Sequence, residues 1–372
     1  MFRKVLILII KLSQYHIKTP YFTLLRINSQ RHTNIMKILK TVLLLLIINT
    51  LQAQTSGIHL IKKTVVGGEG GWDYLLAEAE LRQLYLTHGN QVEVLNLDTH
   101  EKLGVIADTK GVHGVAVAAK LGRGFTTNGK TNTVSVFDTK TFKVSSEIPT
   151  GKKPDAVFFD AFSGRVFVFN NAGGSATVID AATSTVAGTV ELGGNPEAGV
   201  SDGKGTIFVN LEDKSEIVSF DAKTLAVKNR WKLEGGEEPT GLAFDVKNHR
   251  LFSVCHNKVM LVMDSETGKI IATLPIGERV DGAVFDTENQ VVISSNGEGT
   301  LTVVKEVSPN DFKVIDTVKT EQGARTISID AKTHHVFVIT AQFGELPAAT
   351  AENPKPRRPL LPNTFTVLEY GK

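Results

Sequence analysis

The sequence predicts an all-β protein, a seven-bladed β-propeller with four-stranded antiparallel blades, and three observations lead to this fold class. Two phrases recur along the chain roughly every forty residues, and repeats of this period are typical of solenoids and propellers. Apolar and polar residues alternate with period two in each copy, and no stretch after residue 54 carries a helical period. The last copy lacks a final strand, which a segment before the first copy can supply.

The first phrase is a pair of strands joined by a tight turn, and its clearest copy is PDAVFFDAFSGRVFVFN at residues 154–170. Six related copies begin near residues 72, 111, 195, 238, 279 and 323. The second phrase is a strand followed by an Asp turn, as in VSVFDTKT, and its aspartates are assigned as Asp98, Asp138, Asp180, Asp221 and Asp264. Four short strands per copy fit blades packed face to face around an axis.

Ring closure is predicted from the two ends of the repeat region. The final copy ends at FTVLEYG, its third strand, whereas residues 58–67, IHLIKKTVVG, form an extra strand before the first complete copy. We expect the extra strand to complete the last blade, because this removes an open edge that would invite aggregation. An open β-solenoid, the alternative, needs no such strand.

The repeats resemble the YVTN-repeat, YncE-like seven-bladed β-propellers of bacterial secreted proteins. The resemblance rests on the phrases P-x-A/G-x-x-x-D…V-F-V and V-x-V-x-D-x-x-T and covers residues 58–372. It implies the propeller fold and an extracytoplasmic location. The fold is also similar to that of seven-bladed lactonases, although propellers host many unrelated functions.

The start of the chain predicts export. MKILKTVLLLLIINTLQAQT, from Met36, has a basic start, an apolar run and a small-residue stop at Ala53, the pattern of a secretory signal peptide. We therefore expect residues 1–35 to be a spurious upstream extension, 36–53 a signal peptide, and 54–372 one propeller domain in the periplasm or secreted. The apolar run is short for a membrane span, so no stable span is expected after processing. A longer leader or a short anchor is the alternative.

Charge and cysteine content narrow the classes of partner. Eight of the 41 Lys and Arg precede residue 54, which leaves 33 against 39 Asp and Glu. This acidic balance argues against nucleic acid, whose phosphates call for a basic surface. Cys255 is the single cysteine, so no internal disulfide is expected. We expect a monomer that binds a small molecule or a protein.

Aligning the copies places two rings of polar side chains on one face of the propeller. The first ring, at the entry of the innermost strands, is Asp73, His113, Asp155, Glu197, Thr240, Asp281 and Arg325. The second ring, after the second strands, is His88, Asn128, Asn170, Asn210, His256, Asn296 and, by position, Thr340 or Gln342. Asparagines at strand ends commonly hydrogen-bond the neighbouring backbone. We therefore interpret the asparagines of the second ring as structural. The charged members of the first ring, with His88 and His256, are predicted to bind a ligand at the mouth of the channel.

The predicted mouth needs no cofactor, but its residues permit three kinds of chemistry. Ca²⁺ or Mg²⁺ suits its four carboxylates, those of Asp73, Asp155, Glu197 and Asp281. Zinc or copper suits a carboxylate together with His88, His113 and His256. Alternatively, Arg325 can grip a substrate carboxylate or phosphate while His113 moves a proton. None of these sets has a diagnostic spacing, so a divalent metal stays an option only.

The seventh copy contains an insertion, AQFGELPAATAENPKPRRPLLPN, at residues 341–363. Loops of this length are usually lids, binding loops or linkers. Its basic residues Lys355, Arg357 and Arg358 can cover an acidic mouth, and a solvated polyproline segment is the other interpretation.

The sequence favours a binding or interaction propeller without catalytic apparatus, because there is no G-x-S-x-G elbow and no phosphate-binding glycine loop. The alternative is a lactonase-type hydrolase that opens a sugar lactone at the same face. In that reading Arg325 orients the substrate, and His113, Asp155 or Glu197 acts as the base.

Overall fold

A computed structural model describes residues 55–350 and 353–372 of the chain. The predicted upstream extension and signal peptide lie outside the described residues. The described part forms seven four-stranded antiparallel sheets, and each sheet is one blade. The prediction of a seven-bladed all-β propeller is therefore confirmed.

The strands follow the chain blade by blade after a first strand, β1 (His59–Val65). Blade 1 consists of β2 (Trp72–Glu78), β3 (Gln83–His88), β4 (Gln91–Asn96) and β5 (Lys102–Ile106). Blade 2 consists of β6 (Val112–Ala118), β7 (Arg123–Asn128), β8 (Thr133–Asp138) and β9 (Val144–Pro149). Blade 3 consists of β10 (Pro154–Asp160), β11 (Arg165–Asn170), β12 (Ser175–Asp180) and β13 (Thr185–Glu191).

The second half of the ring repeats this order. Blade 4 consists of β14 (Pro196–Ser201), β15 (Thr206–Leu211), β16 (Glu216–Asp221) and β17 (Val227–Lys232). Blade 5 consists of β18 (Pro239–Asp245), β19 (Arg250–Cys255), β20 (Val259–Asp264) and β21 (Ile270–Pro275). Blade 6 consists of β22 (Val280–Asp286), β23 (Val291–Asn296), β24 (Thr300–Ser308) and β25 (Asp311–Lys319). Blade 7 consists of β26 (Ile327–Ile329), β27 (Val336–Thr340), β28 (Thr366–Gly371) and β1.

The ring closes through β1, as the sequence predicts. β1 pairs antiparallel with β28, from Val65 opposite Thr366 to His59 opposite Gly371. Val66 continues the contact by donating its N–H to the carbonyl of Phe365 at 2.8 Å. The innermost strands contact one another in a closed cycle that runs from β2 through β26 and back to β2.

The core lies between the blades because the second and third strands of each blade have buried apolar side chains on both faces of the sheet, whereas outer strands such as β9 and β17 are mostly exposed. Between blades 3 and 4, for example, Phe167 and Phe220 are fully buried with their ring centroids 5.6 Å apart. Near the axis the innermost strands come too close for larger side chains. A Cβ on Gly241 would lie 2.7 Å from the backbone of Gly282 in the next blade, so glycine is required there.

The turns after the third strands correct one alignment. Asp138 accepts the backbone N–H groups of Lys140 and Thr141 at 3.0 and 2.8 Å, and Asp180, Asp221 and Asp264 make the same turn. In blade 1 this position belongs to Asn96, which accepts from Asp98 and Thr99. The assignment of Asp98 to the repeat is therefore wrong by two positions, because Asn makes this turn as well as Asp.

Short 3₁₀ helices follow three of the strands, at Ala119–Leu121, Asn171–Gly173 and Glu212–Lys214. Across the part of the chain that the structure describes, no helix has the length and apolar character needed to cross a membrane.

Candidate functional site

A bulge at the start of six of the seven innermost strands positions their residues of the first ring. In blade 3, Pro154 pairs with Asn170, and the next registered pair is Val157 with Val168. Asp155 therefore has no partner opposite it on β11, and its side chain is free to leave the regular alternation of the strand. The same register shift begins β2, β6, β14, β18 and β22. Blade 7 differs, because Arg325 lies two residues before β26 and this strand has no such shift.

His113 joins the acidic residues of the two neighbouring blades. Its Nδ1 lies 2.5 Å from Oδ2 of Asp73 and 3.4 Å from Oδ1 of Asp155. One ligand atom from each of these three side chains can be chosen so that all lie within 4.8 Å of one another. Asp155 is buried, whereas Asp73 and His113 are half-buried. Three consecutive blades thus supply an imidazole and two carboxylates to one small volume.

Arg325, the last member of the ring, links Asp281 of blade 6 to Asp73 of blade 1. Its guanidinium forms an ion pair with Asp281 and donates from Nη2 to Oδ1 of Asp73 at 3.2 Å. The same Nη2 donates to the carbonyl of Trp72 at 3.2 Å. Asp73 therefore lies between His113 and Arg325, and the sequence-predicted residues of blades 1, 2, 3, 6 and 7 form one connected network.

Glu197 sits beside this network with its own partners. The amide of Asn171 donates to Oε1 at 2.7 Å, and the hydroxyl of Tyr74 donates to Oε2 at 3.3 Å. Lys153 completes the group, with its Nζ 3.3 Å from Oδ2 of Asp155. Sequence alignment does not select Tyr74, Lys153 or Asn171, because they lie one or two positions from the ring or in a 3₁₀ turn. The sequence signal that could have found these three residues is that each differs in type from the residues at the aligned positions of the other blades.

The charges at the mouth shift the pKa values in opposite directions. Burial acts to raise the pKa of Asp73, but its hydrogen bond with His113 and the charge of Arg325 outweigh burial and hold this pKa below its ordinary value of 3.8. Burial opposes protonation of His113, yet the bond to Asp73 and the charge of Asp155 raise its pKa above 6.5. Arg325 and the hydrogen bond from His113 therefore favour the ionised form of Asp73.

The two deeper carboxyl groups behave differently. Burial, followed by repulsion from Asp73, raises the pKa of Asp155 above its ordinary value of 3.8. Burial, followed by repulsion from Asp155, raises the pKa of Glu197 well above 4.5, despite the two donors that face it. Ionising these groups in the folded protein is therefore unfavourable unless a further positive charge or donor arrives.

The raised pKa of Glu197 predicts a pH-dependent effect of Glu197→Gln. Below the unfolded-state pKa of about 4.5 the side chain is neutral in both states, and the two proteins should unfold at similar temperatures. Between that pKa and the raised folded pKa, the unfolded wild type releases a proton that the folded wild type keeps, so the wild type loses stability relative to the amide variant as the pH rises. The difference should level off once the pH exceeds the folded pKa. The measurement is the unfolding temperature of both proteins from about pH 5 to about pH 9.

Comparing variant with wild type cancels other buried groups that titrate in this range, such as Glu306, whose pKa burial raises to about 7. Glu101→Gln, at an exposed position, is the control for the removal of a carboxyl group. If the effect of Glu197→Gln on the unfolding temperature changes with pH no more than the effect of this control does, the raised pKa of Glu197 is contradicted.

The remaining ring residues serve packing or the surface. Thr240 is buried and donates to the carbonyl of Val280 at 3.2 Å. His88 is 2% exposed and stacks on Phe365, with ring centroids 4.1 Å apart. His256 is exposed and pairs with Glu238 at 3.0 Å.

The predicted zinc or copper set of three histidines is therefore wrong. Among the described residues the structure gathers only His113 with Asp73 and Asp155. Phe365 stacks on His88 where blades 1 and 7 pack together, and Glu238 pairs with His256 at the surface.

The asparagines of the second ring are structural, although their partners differ from the prediction. Asn128, Asn170 and Asn296 are fully buried, and each donates to two hydroxyl groups of the following strand, as Asn170 does to Ser175 and Thr177. Only Asn210 donates to backbone, at the carbonyls of Thr240 and Gly241.

The blade 7 insertion is anchored at its base. Phe343 and Leu360 form an antiparallel bridge, and Gly344 donates its N–H to Pro359 at 2.8 Å. Leu361 donates to Gln342 at 2.9 Å. The two ends of the insertion, residues 342–344 and 359–361, therefore pair with each other. A fully solvated segment would not contain this pairing.

The comparisons with known proteins support the propeller fold and no particular function. No protein-family model and no curated protein matches the chain. Among solved structures, it is similar to a chain of hydrazine synthase from Kuenenia stuttgartiensis, with a TM-score of 0.65 over 82% of this chain and 99% of that chain. The two are 13% identical, so the likeness concerns the fold alone. The protein is a seven-bladed β-propeller, a class of fold that hosts many unrelated functions.

Proposed function

We propose that this protein is an extracytoplasmic, YVTN/YncE-like propeller that binds a small ligand through the charged mouth of its channel. The repeat phrases and the signal-like segment from Met36 support the family and the location. The site is the connected network of Asp73, His113, Asp155 and Arg325 with its neighbour Glu197. The ligand is one that offers positive charge or hydrogen-bond donors to these carboxylates.

One observation carries the proposal: Asp73, His113 and Asp155 come from three blades and present ligand atoms within 4.8 Å of one another. Mutual repulsion and burial make this arrangement costly in the free protein. A propeller needs no such group for its fold, since Thr240 fills the equivalent place in blade 5 with a hydroxyl bonded to backbone. A divalent cation is the simplest occupant, because carboxylate oxygens and imidazole nitrogen are its common ligands.

Cation binding at this place must compete with one positive charge and one hydrogen bond. Lys153 lies 3.3 Å from Asp155, and Nδ1 of His113 bonds to the carboxylate of Asp73, which requires a proton on that nitrogen. A cation coordinated by Nδ1 must displace that proton, so its affinity should rise with pH. An organic ligand with an amine or several hydroxyl groups can instead bind beside Asp155 and Glu197 with His113 still protonated.

The test is calorimetric titration of the purified mature protein with Ca²⁺, Mn²⁺ and Zn²⁺ at about pH 6 and about pH 8. We expect at least one ion to bind more tightly at the higher pH, and Asp155→Asn to weaken it by about tenfold or more. Asp138→Asn is the matched control, because Asn96 makes the same turn in blade 1. If no ion binds, or Asp155→Asn leaves the affinity unchanged, the metal is excluded as the occupant.

A hydrolase that opens a sugar lactone is the second candidate. The observation in its favour is that the pKa values of Asp155 and Glu197 are raised towards the range suited to a general base. Arg325, the residue expected to orient the substrate, is engaged by Asp73 and Asp281 and would have to exchange a partner. Hydrolysis of gluconolactone by the wild type, lost in Asp155→Asn and Glu197→Gln but kept in Asp138→Asn, would favour this function.

A further inference from the structure

A cavity lies next to the mouth, between the base of the blade 7 insertion and the starts of the innermost strands. Its volume is about 700 Å³, within the range of sites for small organic ligands. The aromatic and charged side chains that line it are those of Trp72, Arg279, Arg325, Phe343, Arg357 and Arg358. The mouth carboxylates Asp73, Asp155 and Glu197 do not line it.

The cavity is strongly cationic. Four guanidinium groups line it, and no carboxylate does so among the residues that the structure describes. Arg325 is offset by Asp73 and Asp281 behind it. Arg279, Arg357 and Arg358 make no ion pair with any described residue, so three like charges converge without an anion between them. An oxyanion in this space would relieve their repulsion and accept paired N–H donors from a planar guanidinium.

The opposite wall is apolar and fixed in place. Trp72 and Phe343 pack edge to face with ring centroids 6.1 Å apart, and Leu346, Pro356 and Leu360 extend the surface. The position of Phe343 depends on Gly323, which has φ of +87° and where a Cβ would lie 2.9 Å from the phenyl ring. Larger residues at 323 would thus both strain the backbone and displace the ring.

We propose that this cavity binds an organic anion, a carboxylate or phosphate joined to an apolar group about the size of an aromatic ring. Arg279, Arg357 and Arg358 hold the oxyanion, and Trp72 with Phe343 contacts the apolar group. This ligand has the opposite charge to the one proposed for the mouth, so the two sites are independent in chemistry although they are adjacent in space. The insertion at 341–363 is then a binding loop, because it supplies Phe343 and two of the three arginines that make no ion pair with a described residue.

Trp72 makes the proposal directly measurable, since the chain has only 2 tryptophans. The other, Trp231, packs on Phe208 in blade 4 and can be replaced by Phe to leave Trp72 as the single reporter. The full chain with Trp231→Phe is titrated with phenylacetate, with phenyl phosphate and with neutral 2-phenylethanol while fluorescence is followed. We expect at least one anion to bind about tenfold or more tightly than the alcohol, since charge-assisted hydrogen bonds are lost with the alcohol.

The preferred anion identifies the head group as carboxylate or phosphate, and either result supports the proposal. The double substitution Arg357→Gln/Arg358→Gln should lower the affinity for that anion by about tenfold or more. Both side chains are exposed, so the fold should be kept, which circular dichroism checks. The control Lys140→Gln/Lys143→Gln removes the same charge from an exposed turn at the other end of blade 2 and should leave binding unchanged.

Failure of this proposal is distinct from failure of the mouth proposal. The arginine double variant should leave cation binding at Asp155 intact, and Asp155→Asn should leave anion binding intact. If no anion changes the Trp72 signal, if the alcohol binds as tightly as the anions, or if the arginine variant binds like wild type, the anion site is overturned.

Discussion

A chain that begins at Val66, and so lacks β1, is expected to lose about 3 kcal/mol or more of unfolding free energy relative to one that begins at Thr55. The loss comes from six registered pairs between β1 and β28, each with backbone hydrogen bonds worth about 1 kcal/mol net, less the entropy of ordering the strand. Contacts to blade 1 are lost as well, since Thr64 bonds His100 at 2.9 Å and Lys62 donates to Thr99. Urea unfolding of both chains measures the difference.

The shorter chain should also self-associate. Without β1, the backbone of β28 becomes a free sheet edge in a segment of high β-propensity, TVLEYG. Light scattering at increasing protein concentration should therefore rise for the chain starting at Val66 and stay low for the chain starting at Thr55. Equal unfolding midpoints and equal scattering would mean that the ring holds without its closing strand.

The fold was predictable from the sequence because a propeller repeats one local pattern seven times. If the pattern is misread in one copy, the other six still define the repeat. The extra strand at residues 58–67 and the incomplete last copy, which ends at FTVLEYG, then identify the closing strand. Asp98 shows the limit of this reasoning. The turn requires a short side chain that accepts two N–H groups, and Asn96 satisfies it equally, so a search for Asp selects the wrong neighbour.

The site was predictable only in part. Asp73, His113 and Asp155 occupy the bulged start of their strands, Arg325 lies just before β26, and position in the repeat is enough to bring the four together. The position of His88 in the repeat is as regular as theirs. Its ring is nevertheless buried, because Phe365 stacks on it. Lys153, Asn171 and Tyr74 depend on how turns and neighbouring blades pack, which the repeat does not encode.

Arg325→Gln is expected to destabilise the protein by about 2–3 kcal/mol, because it leaves two half-buried carboxylates without their shared cation. The value is below that of a fully buried pair, since the Arg325 side chain is 34% exposed. Adding Asp281→Asn should recover about half of the loss, because one of the two unpaired charges is then removed. Urea unfolding of the two single variants and the double variant measures this coupling.

The exposed pair Lys258–Glu278 is the control, and Lys258→Gln should cost clearly less than Arg325→Gln, because solvent screens an exposed ion pair. If Arg325→Gln costs no more than this, or if Asp281→Asn recovers nothing, Arg325 does not hold the network together.

The same variant separates the structural part of Arg325 from its effect on binding. Removing its positive charge should raise the pKa of Asp73, which Arg325 helps to hold low, and should make the mouth more negative above that pKa. A cation at Asp73, His113 and Asp155 should therefore bind more tightly to Arg325→Gln, although the variant is less stable. A network that existed only to stabilise the fold would lose stability without this gain, so opposite signs in unfolding and in cation titration would identify the mouth as a site that keeps its charges for a ligand.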